Sequence, residues 1–595
     1  MKIKAVVASA LRLTLIIGLT SVLATSALSQ GRPTTFKAPT PKFSNAVAFD
    51  VSPALRDLVP APKSFTPPSI GLEVRPERGP VPHDKGYSGD GALQTTRQVS
   101  AARIGILSIP APVVNFEGLR NEDNFNIFGF RVNPPDPNGD VGPNHYVEMV
   151  NLTFAVYDKL GNQLLGPVDT GTLWAGFAIN DCTDPSGDPI VLYDQLEDRW
   201  LLSQLTTRGL NPDGSFNGKP FYNCVAISQT GDPTGAYFRY AFITSAAGPV
   251  TFFPDYPKYG VWKKSYVLTS RDFGSTDEYG ISVYALEKNK MIAGNPNARA
   301  VHFFLDSAVV PINLIGDGLL PADIDGTRQP EEAATIPIVG TQDDGGPYGA
   351  TSDALNIWDL SIHWNVKPQA SIAFSGSLPV AAFDSIFPCG VVPGTLPPSA
   401  RDCLPEPGIT NGSQFLDILS YRQRPTYRLA YRNFGSYEAL VTNQSVEALP
   451  GIAGVRWYEI RRTGTSYSVY QQGTYAPNDG VHRWMGSTAM DSQGNMGLGY
   501  SVVNGIDVYP GIRYTGRLAG EPLGQMTLGE GTIINGSGVQ TTTNSRWGDY
   551  TSMNVDPTDD CTLWYVNEYY QISGTPSDTR PWQTRIASFK LPGCP

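Results

Sequence analysis

Short apolar strands alternate with tight polar turns along most of the chain, and the unit that they form keeps returning. One copy has an apolar strand at 190–193, a polar turn at 194–198 and an aromatic-rich return strand at 199–202. Further copies keep this order and lie at 138–157, 253–270, 427–446, 486–503 and 546–569. A hairpin of this kind cannot bury its apolar faces alone, so repeated hairpins predict a propeller or array in which neighbours stack.

The number of hairpins predicts an all-β fold, a β-propeller with seven blades. The predicted units begin near residues 140, 188, 255, 336, 428, 486 and 549. The unit near 336 has the weakest pattern, and without it the ring has six blades. Strands such as 190–204 are apolar on both faces, as expected for blades sandwiched between two others, whereas a β-sandwich would alternate more sharply. The segment 103–118 is placed to complete the last blade.

The first hundred residues follow a different pattern. Lys2 and Lys4 precede an apolar run that ends in small residues near 29. This is typical of a signal peptide (1–29), and the run is shorter than the roughly 20 residues of a membrane span. Residues 30–100 are Pro-rich and aperiodic, which predicts an extended tail or linker before a propeller domain at 101–595. We therefore expect a secreted protein, periplasmic or extracellular, without a transmembrane anchor.

Composition narrows the set of partners. Charged residues are 17% of the chain, below the roughly 25% usual for globular proteins, and 61 Gly and 50 Pro suit many turns. The net charge of -11 makes nucleic acid a poor partner, while cations, neutral polymers and a protein partner remain open.

Six cysteines in an exported chain indicate disulfides. Six cysteines allow fifteen pairings, and local proximity favours Cys182 with Cys224, Cys389 with Cys403, and Cys561 with Cys594. A metal-thiolate site is the alternative, but the chain has no C-x-x-C pair and only five His.

Polar residues stand just before several predicted inner strands. They are Asp140, Asp188, Asp255, His482, Arg483, Arg546 and Asp549. Because the inner strands of a propeller begin on one face, we expect these side chains to converge on the mouth of the central channel. The carboxylates of Asp188, Asp255 and Asp549, with Arg483 and Arg546, are the catalytic candidates, since glycosidases use a carboxylate pair. The alternative is that each Asp caps a turn.

Aromatic side chains accompany these charges. Trp484 and Trp547 follow the two arginines, and with His482 and Tyr550 they are the candidate ligand-binding residues. Indole rings provide a platform for sugar stacking, although a position in the core is the open alternative.

Two turns have oxygen-bearing side chains at calcium-like spacing. Asp136, Asn138 and Asp140 surround a Gly, and Asp184 and Asp188 have the same spacing in a second turn that contains a Gly. Such ligands suit Ca²⁺, but neither turn is an EF-hand loop, and a plain Asx-turn is the alternative. We expect no other cofactor.

The stretches 134–151, 187–200, 253–262 and 546–570 resemble a largely uncharacterised group of secreted bacterial proteins similar to sialidase-type β-propellers. The resemblance covers about residues 125–593 and implies a propeller fold. A sialidase also needs three arginines on the substrate carboxylate and a Tyr/Glu nucleophile pair. Arg483 and Arg546 match two of the arginines, while the third arginine and the pair have no assigned positions. The turn 491–495 departs from the sialidase S-x-D-x-G-x-T-W pattern.

The sequence therefore predicts a propeller that binds an extracellular glycan or similar polymer in its funnel, with glycoside hydrolase activity left open. No G-x-S-x-G elbow, P-loop or H-E-x-x-H motif offers another chemistry. The alternative function is a non-catalytic structural or protein-interaction scaffold of the cell surface or extracellular matrix.

Overall fold

A computed structural model describes most of the chain beyond the N-terminal hundred residues. The described residues are 36, 39–58, 72–73, 89–94, 108–211, 214–244, 252–275, 278–346, 348–385, 402–418, 424–541, 545–574 and 582–595. Strands dominate, which confirms the all-β prediction. The predicted signal peptide and much of the predicted tail lie outside these residues.

Helices are few and short. In the described ranges the two α-helices are α1 (Asn121–Phe128) and α2 (Lys288–Ile292), and the 3-10 turns are Leu55–Asp57, Thr170–Trp174, Asn180–Thr183, Ile312–Leu314 and Gly412–Gln414. Across the described ranges, no helix has the length and apolar character needed to cross a membrane.

Five short strands come first in the chain: β1 (Lys42–Asn45), β2 (Ala48–Val51), β3 (Leu72–Glu73), β4 (Val114–Arg120) and β5 (Val132–Asn133). After them, units of four consecutive antiparallel strands follow one another along the chain. Sheet 1 contains β6 (Asn138–Val141), β7 (His145–Met149), β8 (Thr153–Asp158) and β9 (Gln163–Asp169). Sheet 2 contains β10 (Ile190–Asp194), β11 (Arg199–Gln204), β12 (Tyr222–Ser228) and β13 (Tyr237–Ile243).

The next units repeat this plan. Sheet 3 contains β14 (Phe253–Val261), β15 (Ser265–Phe273), β16 (Tyr279–Glu287) and β17 (Arg299–Asp306). Sheet 4 contains β18 (Leu320–Asp325), β19 (Ile336–Gln342), β20 (Ala354–His363) and β21 (Gln369–Pro379). A small pair follows, β22 (Asp402–Leu404) and β23 (Leu416–Asp417).

Three more sheets contain the strands that follow. Sheet 5 contains β24 (Thr426–Asn433), β25 (Glu438–Leu449), β26 (Ile452–Thr463) and β27 (Ser466–Tyr475). Sheet 6 contains β28 (His482–Met490), β29 (Met496–Val503), β30 (Gly511–Arg517) and β31 (Glu530–Ile534). Sheet 7 contains β32 (Ser552–Val555), β33 (Thr562–Tyr570), β34 (Trp582–Lys590) and the N-terminal strand β4.

The first strands of these sheets form a closed ring. Each contacts the next in the order β6, β10, β14, β18, β24, β28 and β32, and β32 contacts β6. Strands β18 and β24 also pair in parallel, so sheets 4 and 5 are continuous. Antiparallel sheets around a common ring of inner strands are the architecture of a β-propeller.

An N-terminal strand closes the ring. Strand β4 pairs antiparallel with β34, from Val114 opposite Ser588 to Arg120 opposite Gln583. The prediction that this part of the chain completes the last unit is confirmed for residues 114–118, while 103–107 lie outside the described residues.

The predicted unit near 336 begins earlier than the sequence indicated. Its inner strand is β18, and the hairpin at 336–360 supplies the second and third strands. Strand β18 was missed because it pairs with β19 at only Leu320 and Pro321, and its remaining residues pair with the distant β24.

The described parts of the predicted tail run along the outside of the propeller. Strand β2 adds to the outer edge of sheet 2 by pairing with β13, and β1 adds to sheet 3 by pairing with β17. Further along, the side chains of Asp90 and Arg456 form a fully buried ion pair. These segments pack on the sheets, and the extended form of the whole tail stays a prediction.

The core lies between neighbouring sheets. The rings of Tyr146 in sheet 1 and Trp564 in sheet 7 stack with centroids 5.4 Å apart. Tyr514 in sheet 6 and Phe589 in sheet 7 make a similar contact at 4.4 Å. Each sheet therefore buries both faces, which explains why its strands are apolar on both sides.

Two of the predicted disulfides are confirmed. Cys182 and Cys224 are bonded with Cα atoms 5.8 Å apart, and Cys561 and Cys594 with Cα atoms 5.7 Å apart. Cys389 lies outside the described residues, so its pairing with Cys403 stays a prediction.

Candidate functional site

The beginnings of the inner strands meet at one end of the ring, and we call this end the mouth. It is defined by Asp136, Asp188, Tyr256, Lys258, Asp317, Arg424, Asp549 and Tyr550, which contact one another directly or through Asn151 and Arg271. Asp136 and Asp188 have φ values of 47° and 46°, a conformation that Asp tolerates better than most residues. The chain thus turns sharply just before β6 and β10.

A chain of hydrogen bonds links three aspartate residues of the mouth. Asp136 accepts hydrogen bonds from Asn151 Nδ2 (2.7 Å) and from the backbone N–H of Asp549 (2.7 Å). Asn151 Oδ1 accepts the backbone N–H of Asp188 at 2.9 Å. The Asp188 carboxylate accepts the Tyr550 hydroxyl at 2.8 Å and the Tyr256 N–H at 3.1 Å. Residues of sheets 1, 2, 3 and 7 are therefore tied together here.

Asp136 and Asp549 lie in different electrostatic surroundings. Burial, with added repulsion from Asp549 and Asp188, raises the pKa of Asp136 to about 8. Asp549 has Arg546 Nη2 at 2.9 Å from Oδ1 and Arg424 Nη2 at 3.9 Å from Oδ2. At neutral pH the Asp136 carboxyl is therefore mainly protonated, while two guanidinium groups lie beside the Asp549 carboxyl.

The side of the mouth toward sheets 3 to 5 is formed by Arg271, Arg424 and the buried carboxylate of Asp317. Arg271 Nη2 and Arg424 Nη1 lie 2.7 Å and 3.2 Å from the two oxygens of Asp317, and the Tyr348 hydroxyl also donates to Asp317. The Arg424 guanidinium carbon lies 3.8 Å from the centre of the Tyr256 ring. Its Nε and Nη2 find no hydrogen-bond acceptor within the described part of the chain.

Lys258 occupies an aromatic slot. Its Nζ lies 3.2 Å from the ring centre of Tyr256 and 3.4 Å from that of Tyr550, and it donates a hydrogen bond to the Pro257 carbonyl at 3.1 Å. Burial lowers the pKa of Lys258 well below its usual value. The two phenol faces take the place of a direct carboxylate partner.

The structure brings several of the predicted site residues together. Asp188, Asp549, Arg546 and Tyr550 lie at the mouth, and the Asp255 carboxylate accepts the N–H of the adjacent Tyr256 at 2.9 Å. The sequence did not single out Tyr256, Lys258, Arg271, Asp317 and Arg424. Tyr256 and Lys258 lie in the same inner strand, β14, as Asp255, so the reasoning that selected Asp255 could have selected them too.

His482 and Arg483 do not reach the mouth, and the predicted role of Arg483 there is wrong. Arg483 is fully buried and pairs with Asp479 and Glu530, each at 2.7 Å, within sheet 6. His482 Nδ1 accepts the Ala453 N–H at 3.2 Å, and burial lowers the pKa of His482 to about 4. Both side chains are buried, because the neighbouring sheets cover the faces of sheet 6.

Trp484 and Trp547 are core residues, so the predicted stacking platform is wrong. Neither side chain is exposed to solvent, and their ring centroids lie 5.0 Å apart. They fill the junction between sheets 6 and 7 and offer no free face to a sugar.

The predicted calcium ligands are distributed over several places. Asn138 Oδ1 accepts the Val191 N–H, and Asp140 accepts the Tyr193 N–H and lines a separate small cavity with Asp323, Asp325, Arg428 and Asn554. Asp184 pairs with Arg208, away from Asp136 and Asp188 at the mouth. Calcium binding stays a prediction.

Comparison with known proteins gives no family assignment. No protein-family model and no curated protein matches the chain. Among solved structures, an ulvan lyase, reported as a new family of polysaccharide lyase, aligns at 10% identity over 82% of this chain and 95% of its own, with a TM-score of 0.30. An α-L-arabinanase from Penicillium chrysogenum, complexed with arabinobiose, aligns at 10% identity over 68% and 94%, with a TM-score of 0.29.

A neuraminidase-like protein of A/flat-faced bat/Peru aligns at 8% identity over 82% of this chain and 97% of its own, with a TM-score of 0.27. All three TM-scores lie below 0.5. The assignment of the fold therefore rests on the sheet topology and the ring contacts of the chain itself.

Proposed function

We propose that the ring is a seven-bladed β-propeller that binds an extracellular glycan at the mouth and hydrolyses it with Asp136 and Asp549. The observation that carries the proposal is the direct contact of Asp136, whose carboxyl has a pKa raised to about 8, with Asp549, whose carboxyl is paired with Arg546. Asp136 accepts the N–H of Asp549, and Arg546 lies on the other side of the Asp549 carboxylate. Glycosidases need one protonated and one ionised carboxyl group flanking the scissile bond.

In this mechanism Asp136 gives its proton to the glycosidic oxygen as the C–O bond breaks. The Asp549 carboxylate attacks the anomeric carbon or takes a proton from the attacking water, and water supplies the new hydroxyl group. Arg546 and Arg424 lie against the Asp549 carboxylate, while Tyr550 and Tyr256 hold Asp188 beside the pair. These residues position charge before substrate arrives, which is the main source of electrostatic stabilisation in enzymes.

A screen of polysaccharides with reducing-end detection tests the proposal. On any polysaccharide that the wild-type protein cleaves, Asp136→Asn and Asp549→Asn are each expected to reduce turnover at least 100-fold. The control is Asp184→Asn, because Asp184 pairs with Arg208 on the surface, away from the mouth. Cleavage that survives both mouth substitutions would overturn the assignment of the pair.

The second candidate function is a non-catalytic scaffold, and the burial of the mouth favours it. Lys258 and Tyr550 are 1% and 0% exposed, and the carboxylates already accept hydrogen bonds from the protein. Binding on a glycan array without new reducing ends would select this function. Two confirmed disulfides support our proposal that the protein works outside the cytoplasm.

A further inference from the structure

Glu568 lies directly behind the segment 545–550, which carries Arg546, Asp549 and Tyr550 to the mouth. It belongs to β33 and has no solvent exposure. Its Oε1 accepts the backbone N–H of Gly548, and its Oε2 has no hydrogen-bond partner within the described ranges. Burial raises the pKa of Glu568 well above its usual value, and Asp136 and Asp549 add to the effect. Burial therefore favours the neutral form of this carboxyl, which contacts the segment from inside sheet 7.

The space around Gly548 leaves no room for a side chain. A Cβ atom at this position would lie 2.9 Å from Glu568 Oε1 and 3.1 Å from the backbone nitrogen of Asp136. Gly548 is thus wedged between the Glu568 carboxyl and the turn that carries Asp136. The next residue, Asp549, donates its N–H to Asp136 Oδ1 at 2.7 Å. One backbone step therefore separates the bond made by Glu568 from the bond that joins Asp549 to Asp136.

We propose that Glu568 is a positioning residue of the mouth, which holds the Gly548 N–H so that Asp549 and Tyr550 stay in contact with Asp136 and Asp188. The catalytic part of this role rests on the proposed function, whereas the structural part does not. Glu568 contacts the backbone of Gly548 and acts on the site through it. A glutamine at this position keeps an oxygen acceptor and the same neutral charge, while alanine removes the acceptor.

Hydrogen exchange measured by mass spectrometry tests the positioning without a substrate. In Glu568→Ala, peptides that contain 545–550 are expected to exchange at least tenfold faster than in the wild-type protein, because the Gly548 N–H loses its acceptor and the adjacent Asp549 N–H is no longer held against Asp136. Glu568→Gln is expected to restore slow exchange. Unchanged exchange of 545–550 in Glu568→Ala would overturn the proposal. If Glu568→Ala does not fold, Glu568→Leu fills the volume without an acceptor and gives the same readout.

Glu148 provides a matched control. It is also a fully buried carboxyl, with one oxygen that has no hydrogen-bond partner among the described residues, and it accepts the backbone N–H of Leu119 at 2.9 Å. Glu148→Ala is expected to speed exchange around Leu119 and to leave 545–550 unchanged. Faster exchange of 545–550 in this control would mean that any buried cavity loosens the segment, and it would overturn a specific role for Glu568.

Kinetics separates this proposal from the proposed function. On a polysaccharide that the wild-type protein cleaves, Glu568→Ala is expected to lower kcat 10- to 100-fold with KM within threefold, and Glu568→Gln to recover most of kcat. A Glu568→Ala variant with wild-type kcat would contradict the positioning role. If instead Asp136→Asn and Asp549→Asn leave turnover unchanged, the proposed function fails, and the exchange experiment still decides the role of Glu568.

Discussion

Asp136 and Asp549 are the same amino acid joined by one hydrogen bond, yet their carboxyl groups have different surroundings. Asp136 is 4% exposed and borders two other carboxyls, and this burial and repulsion raise its pKa to about 8. The Asp549 carboxylate has a guanidinium group within 2.9 Å. In the proposed function, this difference assigns the acid role to Asp136 and the nucleophile or base role to Asp549.

At the same scale, Trp484 is expected to contribute to stability and not to ligand binding. Trp484→Ala should lower the free energy of unfolding by about 3 to 5 kcal/mol, since it removes a fully buried indole from the core. Urea denaturation measures the loss. The comparison variant is Tyr470→Ala, whose side chain is 39% exposed and whose loss should be much smaller. Equal losses in both variants would contradict the core assignment.

Local sequence reasoning succeeded for the residues that directly precede inner strands. Asp188 and Asp549 were predicted from that position alone. Arg271 was not predictable in this way, because it comes from the second strand β15 and reaches the mouth to pair with Asp317. The reading of Trp484 as a binding residue failed because both faces of sheet 6 are covered, so a strand residue is buried whichever way it points.

Among the elements, the N-terminal segments act as parts of the propeller. The ion pair of Asp90 with Arg456 has no solvent exposure on either side chain. Asp90→Ala is expected to cost about 3 to 5 kcal/mol in the free energy of unfolding, because it leaves the Arg456 guanidinium buried without its carboxylate. Chemical denaturation of the full chain measures this cost.

An exposed ion pair of the same N-terminal region supplies the control. Arg56 and Asp232 lie 3.0 Å apart with 55% and 43% of their side chains exposed. Asp232→Ala is expected to cost less than about 1 kcal/mol, because solvent screens such pairs. A cost for Asp90→Ala as small as this one would mean that the segment near Asp90 does not anchor the propeller.

The sequence predicted the strands that pair with a neighbour in the chain and missed the strands whose partners are distant in the chain. Hairpins such as β10 with β11 join strands separated by a short turn, so their apolar pattern is visible in one window. Strand β18 finds its main partner, β24, about a hundred residues away, and only Leu320 and Pro321 pair with the neighbouring strand β19. Outer strands β1 and β2 were likewise hidden in a Pro-rich region whose partners lie in sheets 3 and 2.

For the whole molecule, buried carboxyls predict that stability falls as the pH rises above neutrality. Burial raises the pKa of Asp136 to about 8 and those of Glu148 and Asp272 to about 7. A carboxyl with a higher pKa in the folded chain stabilises the fold at low pH, and this stability is lost as the pH rises through the folded pKa.

The expected loss from these three carboxyls between pH 6.5 and 8 is about 3 kcal/mol, from about 1.4 kcal/mol per pH unit for each titrating group. Burial lowers the pKa values of Lys258, His302 and His482, and these bases act in the opposite direction and offset part of the loss. Thermal unfolding across the pH range measures the effect, and Glu148→Gln should remove part of it. A melting temperature that is constant or rises from pH 6.5 to 8 would refute the prediction.

The measurement that tests the central claim most directly is the pH dependence of kcat/KM on a cleaved polysaccharide. If Asp136 is the acid of the mouth site, its carboxyl must be protonated for turnover, so activity should fall above pH 8 with a midpoint near the pKa of about 8. Activity that stays constant or keeps rising from pH 7 to 9.5 would contradict the assignment of Asp136 as the acid.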